Sequence, residues 1–171
     1  MTETIYYSQI RTEDGAVFLA ATEQALCYVS PQNEGIRELK SWLERHYPGV
    51  QLVEDEEKLS IYTTQLQEYL NGEREEFTLP VELVGTDFQK AVWTELRNIP
   101  FGEIHTYSEI AESIGNPRAV RAVGSAIGAN PLLFVVPCHR VVRKNGEMGG
   151  FRGGLSMKEK LLGLERHKAK I

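Results

Sequence analysis

Short apolar runs separated by turn residues open the chain. TIYYSQI (4–10), AVFLAAT (16–22) and ALCYVS (25–30) read as three strands of a β-meander, divided by Asp14-Gly15 and Glu23-Gln24. Apolar positions then recur at helical spacing, which predicts amphipathic helices over 33–46 and 56–70. Asn33 would cap the first and Tyr47-Pro48-Gly49 end it; Asn71-Gly72 would end the second. Cys27, among Leu26, Tyr28 and Val29, reads as a small core hydrophobe. The segment 73–85 is extended, contains Pro80 and is taken as a linker.

The second half is patterned for helices. Thr86-Asp87-Phe88-Gln89 is a capping box before the periodic FQKAVWTEL, which Pro100 and Gly102 bring to an end. Thr106-Tyr107-Ser108-Glu109 is a second capping box, followed by apolar Ile110, Ala111 and Ile114. After the break at Gly115-Asn116-Pro117, Asn116 is suited to N-cap, and Pro117 to open, a helix over 117–128. Two short helices around a Gly-containing turn form a helix-turn-helix pattern. The fold class is thus mixed α/β (α+β), with an N-terminal α/β domain over 1–80 and a C-terminal, mostly helical domain over 81–171.

In that last helix, Val120, Val123 and Ile127 would face the core. The opposite face carries Arg118, Ala122, Ser125 and Ala129, flanked by Arg121 and Gly124. A helix reading bases in the major groove carries long polar side chains on its outer face; this face is nearly bare. It suits either close packing on another helix or close approach to a narrow surface such as a DNA minor groove. Charge favours the second. Residues 1–80 hold 6 Lys and Arg against 15 Asp and Glu, whereas the chain from Gly115 onward holds 11 against 3. A basic final third fits a polyanion partner.

Candidate chemistry centres on VVPCHRVV (135–142), an apolar, strand-like run interrupted by Cys138, His139 and Arg140. A nucleophilic thiol needs a base nearby, and His139 is the obvious one. Adjacent residues on a strand point to opposite faces, so the backbone must turn at Pro137-Cys138 or a water must bridge the pair. A third group should orient the imidazole. Glu159 falls in the apparent capping box Ser156-Met157-Lys158-Glu159, which leaves Glu165 as the better candidate. A buried free cysteine beside a core histidine remains open on this octapeptide alone. The turn Lys144-Asn145-Gly146 and the run GGFRGG (149–154) follow; the latter lacks a GK[ST] ending and reads as a loop whose backbone approaches a ligand.

Cys27 and Cys138, with four histidines, make no CxxC or HxxxH spacing, so no zinc and no disulfide framework are expected. No apolar run reaches the roughly 18 residues of a membrane span. The absence of a signal peptide in MTETIYYSQI predicts a cytoplasmic location.

PCHRV (137–141) resembles the active-site motif of the O6-alkylguanine-DNA alkyltransferases, the methylated-DNA–protein-cysteine methyltransferases. FGEIHTYSEIA (101–111), GNPRAVRAVGSAIGANP (115–131) and GGFRGGLSMKEKLLGLE (149–165) are similar to further segments of that family, so the resemblance spans roughly residues 86–165 in order. It implies an RNase H-like N-terminal sheet with helices and a winged-helix-like C-terminal domain. It also implies DNA repair without a cofactor: the alkyl group of O6-alkylguanine, and of O4-alkylthymine, moves irreversibly to the protein's own cysteine. The partner would be double-stranded DNA, bound by a monomer through the minor groove with the damaged base flipped out.

Roles then follow by position. Cys138 would accept the alkyl group, His139 would activate it through a water, and Glu165 would orient His139. Asn130 would hold the turn before the active site. Tyr107 would donate a hydrogen bond to the guanine, and Arg121 would fill the gap in the base stack. Gly124, Ala122 and Ser125 would meet the DNA. Backbone at Cys138, Val141 and Arg152, with Gly153 in the same loop, would read the guanine edge; Arg140 would be structural. Arginine at 152, where some relatives have a smaller polar residue, bears on which alkyl groups fit. A cysteine hydrolase and a non-catalytic helix-turn-helix protein stand as alternatives. The first would turn over, and the second would ignore loss of Cys138.

Overall fold

The computed structural model describes residues 3–169; the outermost residues of the two predicted domains, 1–2 and 170–171, lie outside the described residues. The chain folds as two compact units, one formed by 1–84 plus 131–133 and the other by 85–130 plus 134–171.

In the first unit, β1 (Thr4–Thr12), β2 (Gly15–Ala21) and β3 (Leu26–Val29) form the expected antiparallel meander, with Ile10 opposite Val17 and Ser8 opposite Leu19. A fourth strand, β4 (Gln51–Glu54), runs parallel to β1, giving the order β3-β2-β1-β4. Its four residues, two of them exposed, carry too little pattern to be predicted. Helix α1 (Ile36–His46) sets Leu39, Trp42 and Leu43 against Ile5, Ala20 and Tyr28. Residues of the other parity, Ile10, Val17 and Leu19, are buried as well, and α2 (Glu56–Leu70) packs on β1 and β2. A sheet covered on both faces explains why its strands read as apolar runs rather than as clean alternation. Cys27 sits in this core, where burial pushes its thiol up to about 12.

Two expectations are corrected here. Gly35, not Asn33, is the N-cap of α1, and its amide donates to the Glu38 carboxylate at 2.9 Å. The segment taken as a linker is tied down: Leu26 N donates to Pro80 O and Glu82 N to Leu26 O, a parallel bridge on β3. Residues 131–133 run on the same strand, with Val29 N donating to Pro131 O at 2.8 Å and Leu133 N to Val29 O at 3.2 Å.

In the second unit, α3 (Asp87–Arg97) and α4 (Tyr107–Ser113) start at the two capping boxes, Thr86 with Gln89 and Thr106 with Glu109. Helices α3, α4 and α5 (Val120–Gly128) pack together, and the Trp93 indole donates to Ala126 O at 2.8 Å. Helix α5 begins three residues later than expected, with Ala119 as N-cap. Asn116 and Pro117 instead open a turn whose Asn116 carbonyl accepts from Ala119 N. Its buried face is Val123, Ala126 and Ile127; Val120 is only half-buried. Helix α6 (Leu155–Ala169) already includes Ser156, so the predicted capping box there does not form. The octapeptide is not a strand. Cys138–Arg140 make one 3₁₀ turn, and only Val141–Val142 are extended, as β6 pairing in parallel with β5 (His105–Thr106). Among the described residues no helix is long and apolar enough to cross a membrane.

Candidate active site

The 3₁₀ turn decides how the three polar residues point. At three residues per turn, successive side chains diverge by about 120°, so Cys138, His139 and Arg140 face three directions. Pro137 supplies the bend (φ −79°, ψ 64°), and Cys138 N donates to Val136 O at 2.7 Å. The buried Asn130 holds the approach through Nδ2 donating to Val136 O at 3.0 Å.

Cys138 is 3% exposed and lies at the wall of a cleft of about 790 Å³. Tyr107, Arg121, Gly124 and Arg152 line the same cleft. Tyr107, the first residue of α4, is half-buried; Arg121 projects from α5 and is exposed. Gly149 is required beside Tyr107: its φ is +72°, and a Cβ there would lie 2.6 Å from the phenol oxygen.

Behind the thiol is a buried polar network. His139 Nε2 and Glu165 Oε2 are 2.6 Å apart, with side chains 0% and 1% exposed. Arg140 grips the same carboxylate, Nε to Oε1 at 2.8 Å and Nη2 to Oε2 at 2.9 Å, while its Nη1 donates to Ile99 O at 2.7 Å. Burial would raise the Glu165 carboxyl, but hydrogen bonds from His139 and Arg140 outweigh it and hold it at about 2. Burial lowers the His139 imidazole, against the pull of Glu165. Burial also pushes the Cys138 thiol up, opposed by a hydrogen bond from the Asn130 side chain and by the charges of Arg152 and Lys158. Tyr107 is raised, chiefly by burial. At neutral pH the resting site therefore holds a thiol, and its proton needs a route out.

Sequence reasoning assigned no role to Lys158. It is fully buried on α6, and its ammonium donates to Val141 O at 2.7 Å, Met148 O at 2.5 Å and Gly150 O at 3.2 Å. Burial brings it down to about 8. The signal was in the pattern: Lys158, Leu161, Leu162 and Glu165 fall on one helical face, two charged residues on an apolar stripe. Arg143, Lys144 and Phe151 also line the cleft and were not picked out.

The structure brings Cys138, Tyr107, Arg121, Gly124 and Arg152 to one cleft, with Asn130, His139 and Glu165 buried behind it. Val141 and Gly153 are buried outside the lining; Val141 offers its carbonyl to Lys158. Ala122 and Ser125 are exposed on α5 and do not line the cleft. Among the described residues no group of three or more His, Cys, Asp or Glu side chains is placed to hold a metal.

Residues 87–167 match the family model described as 6-O-methylguanine DNA methyltransferase, DNA binding domain. Residues 5–83 match that of the same family's ribonuclease-like domain. The inducible methylated-DNA–protein-cysteine methyltransferase of Bacillus subtilis is 50% identical, over 95% of this chain and 91% of that protein. The methylated-DNA–protein-cysteine methyltransferase of Methanosarcina acetivorans is 42% identical, over 94% and 98%. Among solved structures, Mycobacterium tuberculosis OGT in complex with DNA superposes with a TM-score of 0.83 at 37% identity, over 95% of this chain and 94% of that one.

Proposed function

The chain belongs to the methylated-DNA–protein-cysteine methyltransferase family, and on that premise we propose that Cys138 is the residue that takes the alkyl group from O6-alkylguanine in DNA. The protein is a DNA-binding repair methyltransferase. The observation that carries the residue assignment is the buried set Cys138–His139–Glu165–Arg140 at the wall of a cleft lined by α5.

A base inside a stacked duplex is out of reach of a buried thiol, so the nucleotide must be flipped out, at a few kcal/mol. The outer face of α5, with Ala122, Gly124 and Ser125, lets the backbone come close to a minor groove, and Arg121 fills the vacated space in the stack. The flipped guanine enters the cleft, and O4-alkylthymine is accepted in the same way. Backbone at Cys138 and Arg152 reads the base edge; Val141, whose carbonyl accepts from Lys158, and Gly153 are buried outside the lining and back it.

His139, held by Glu165 through Nε2, takes the Cys138 proton through a water, and the imidazolium formed is stabilised by the adjacent carboxylate. The thiolate attacks the alkyl carbon in line. The Sγ–C bond forms as the C–O6 bond breaks, the electron pair leaves with the guanine, and Tyr107 donates a hydrogen bond to the ring that receives it. The product is a thioether with no group that water can hydrolyse, so each molecule, acting as a monomer, reacts once.

The test is mass spectrometry after incubation with duplex DNA carrying O6-methylguanine. The expected result is one added CH₂ on Cys138 and none on Cys27, in a burst of one equivalent. Lesion loss with an unmodified Cys138, or continued turnover as a hydrolase would give, would sink the assignment.

A further inference from the structure

The cleft wall around Cys138 is unevenly charged. Among the described residues that line it, Arg121, Arg143, Lys144 and Arg152 are cationic and none is a carboxylate. Of these, Arg152 is tied to the region next to the nucleophile: it is half-buried, and Nη1 donates at 2.7 Å to the carbonyl of Asn130, whose own side chain holds the turn leading to Cys138. Glu165, hydrogen-bonded to His139 and paired with Arg140, does not line the cleft.

We propose that Arg152 makes the acceptor pocket favour alkyl groups that carry a negative charge, such as carboxymethyl, over neutral groups of the same shape. The inference rests on Cys138 being the acceptor. For in-line attack the alkyl carbon must stand about 3–3.5 Å from Sγ, so any substituent on that carbon lies in the pocket that Arg152 lines. A carboxylate there meets a thiolate of like sign, which disfavours the encounter unless a cation sits beside both. The guanidinium of Arg152 is that cation, and its charge acts on Cys138 in the direction that favours an anion at the sulfur. The transfer itself is unchanged: Sγ–CH₂ forms, CH₂–O6 breaks, the electron pair leaves with guanine, and no oxidant or reductant takes part.

The experiment compares single-turnover rates on matched duplexes carrying O6-carboxymethylguanine or its neutral isostere O6-carbamoylmethylguanine, with O6-methylguanine as reference. The ratio of the first two rates cancels any loss of folded protein. The wild type is expected to prefer the carboxymethyl group by about fivefold, the worth of one partly exposed ion pair. Arg152→Lys should retain a preference, Arg152→Gln should abolish it, and raising salt should shrink it. A wild-type ratio at or below one, or a ratio that Arg152→Gln leaves intact, overturns the inference. Methyl transfer to Cys138 without any charge preference defeats this inference alone. Failure of methyl transfer to Cys138 defeats the repair reading and this one with it.

Discussion

The carboxylate of Glu165 stands 2.6 Å from His139 Nε2 while the same group is gripped at two points by Arg140. One buried anion thus serves two residues of a single 3₁₀ turn. Glu165→Gln keeps the shape and removes the charge, leaving Arg140 without its counter-ion. Transfer from O6-methylguanine should slow about 100-fold or more, the scale of lost acid–base assistance. The fold should weaken by up to about 3–5 kcal/mol, the range for breaking a buried pair. Stopped-flow rates and urea unfolding read the two effects separately; a wild-type rate would remove Glu165 from the proton route.

Acid should undo the same contact. The Glu165 carboxyl is held at about 2 in the fold against an ordinary 4.5. A carboxyl lowered on folding stabilises above its unfolded value and loses that contribution as pH falls through its folded one. The Glu165 share, on the order of 3 kcal/mol, should be complete above about pH 4.5 and disappear between there and about pH 2. Urea unfolding of wild type and Glu165→Gln at pH 5.5 and pH 3 checks this: the gap between them should narrow at the lower pH, and a constant gap would refute it.

Arg121 is exposed at the cleft mouth and lies away from the buried network. If its task is to hold open the duplex, Arg121→Ala should slow repair in duplex DNA by tenfold or more, a share of the few kcal/mol of flipping. The reaction with free O6-benzylguanine should slow far less. Equal losses would count against a flipping role.

Gly149 and Tyr107 cannot both stay in place if residue 149 gains a side chain. Gly149→Ala adds a left-handed backbone penalty of about 1–2 kcal/mol and a methyl 2.6 Å from the Tyr107 oxygen. Displacing Tyr107 should slow transfer about tenfold or more, since small misplacements at a reacting centre are expensive. Gly163→Ala on α6, whose Cβ meets nothing within 4 Å and which does not line the cleft, is the control and should stay close to wild type. Equal rates for the two variants would show that the contact does not matter.

How much could be read in advance depended on the range of each interaction. The capping boxes at Thr86 and Thr106 involve residues three apart, so the sequence carries the whole motif, and both helices start where expected. Asn116-Pro117 looked equally local, yet the Asn116 carbonyl closes a turn with Ala119, and the helix waits until Val120. Glu165 was legible through the family resemblance; the capping box that set Glu159 aside does not form. Lys158 was legible only as a charge on the apolar stripe of Leu161 and Leu162; the three carbonyls from 141–150 that satisfy it come together only on folding. The shape of the octapeptide was missed for a related reason: valine pairs signal a strand, whereas Pro137, Asn130 and the contacts of Arg140 impose a turn.

The sharing of Glu165 has a practical side. An inert form of the protein that still grasps damaged DNA, for trapping or imaging lesions, should be made by removing the thiol and not its support. Cys138→Ser deletes the reacting atom and leaves the carboxylate with both of its partners, His139 and Arg140. A change at Glu165 takes away the chemistry and, through Arg140 and its bond to Ile99, loosens the frame around the pocket as well. The reacting atom is expendable to the architecture; the anion behind it is not.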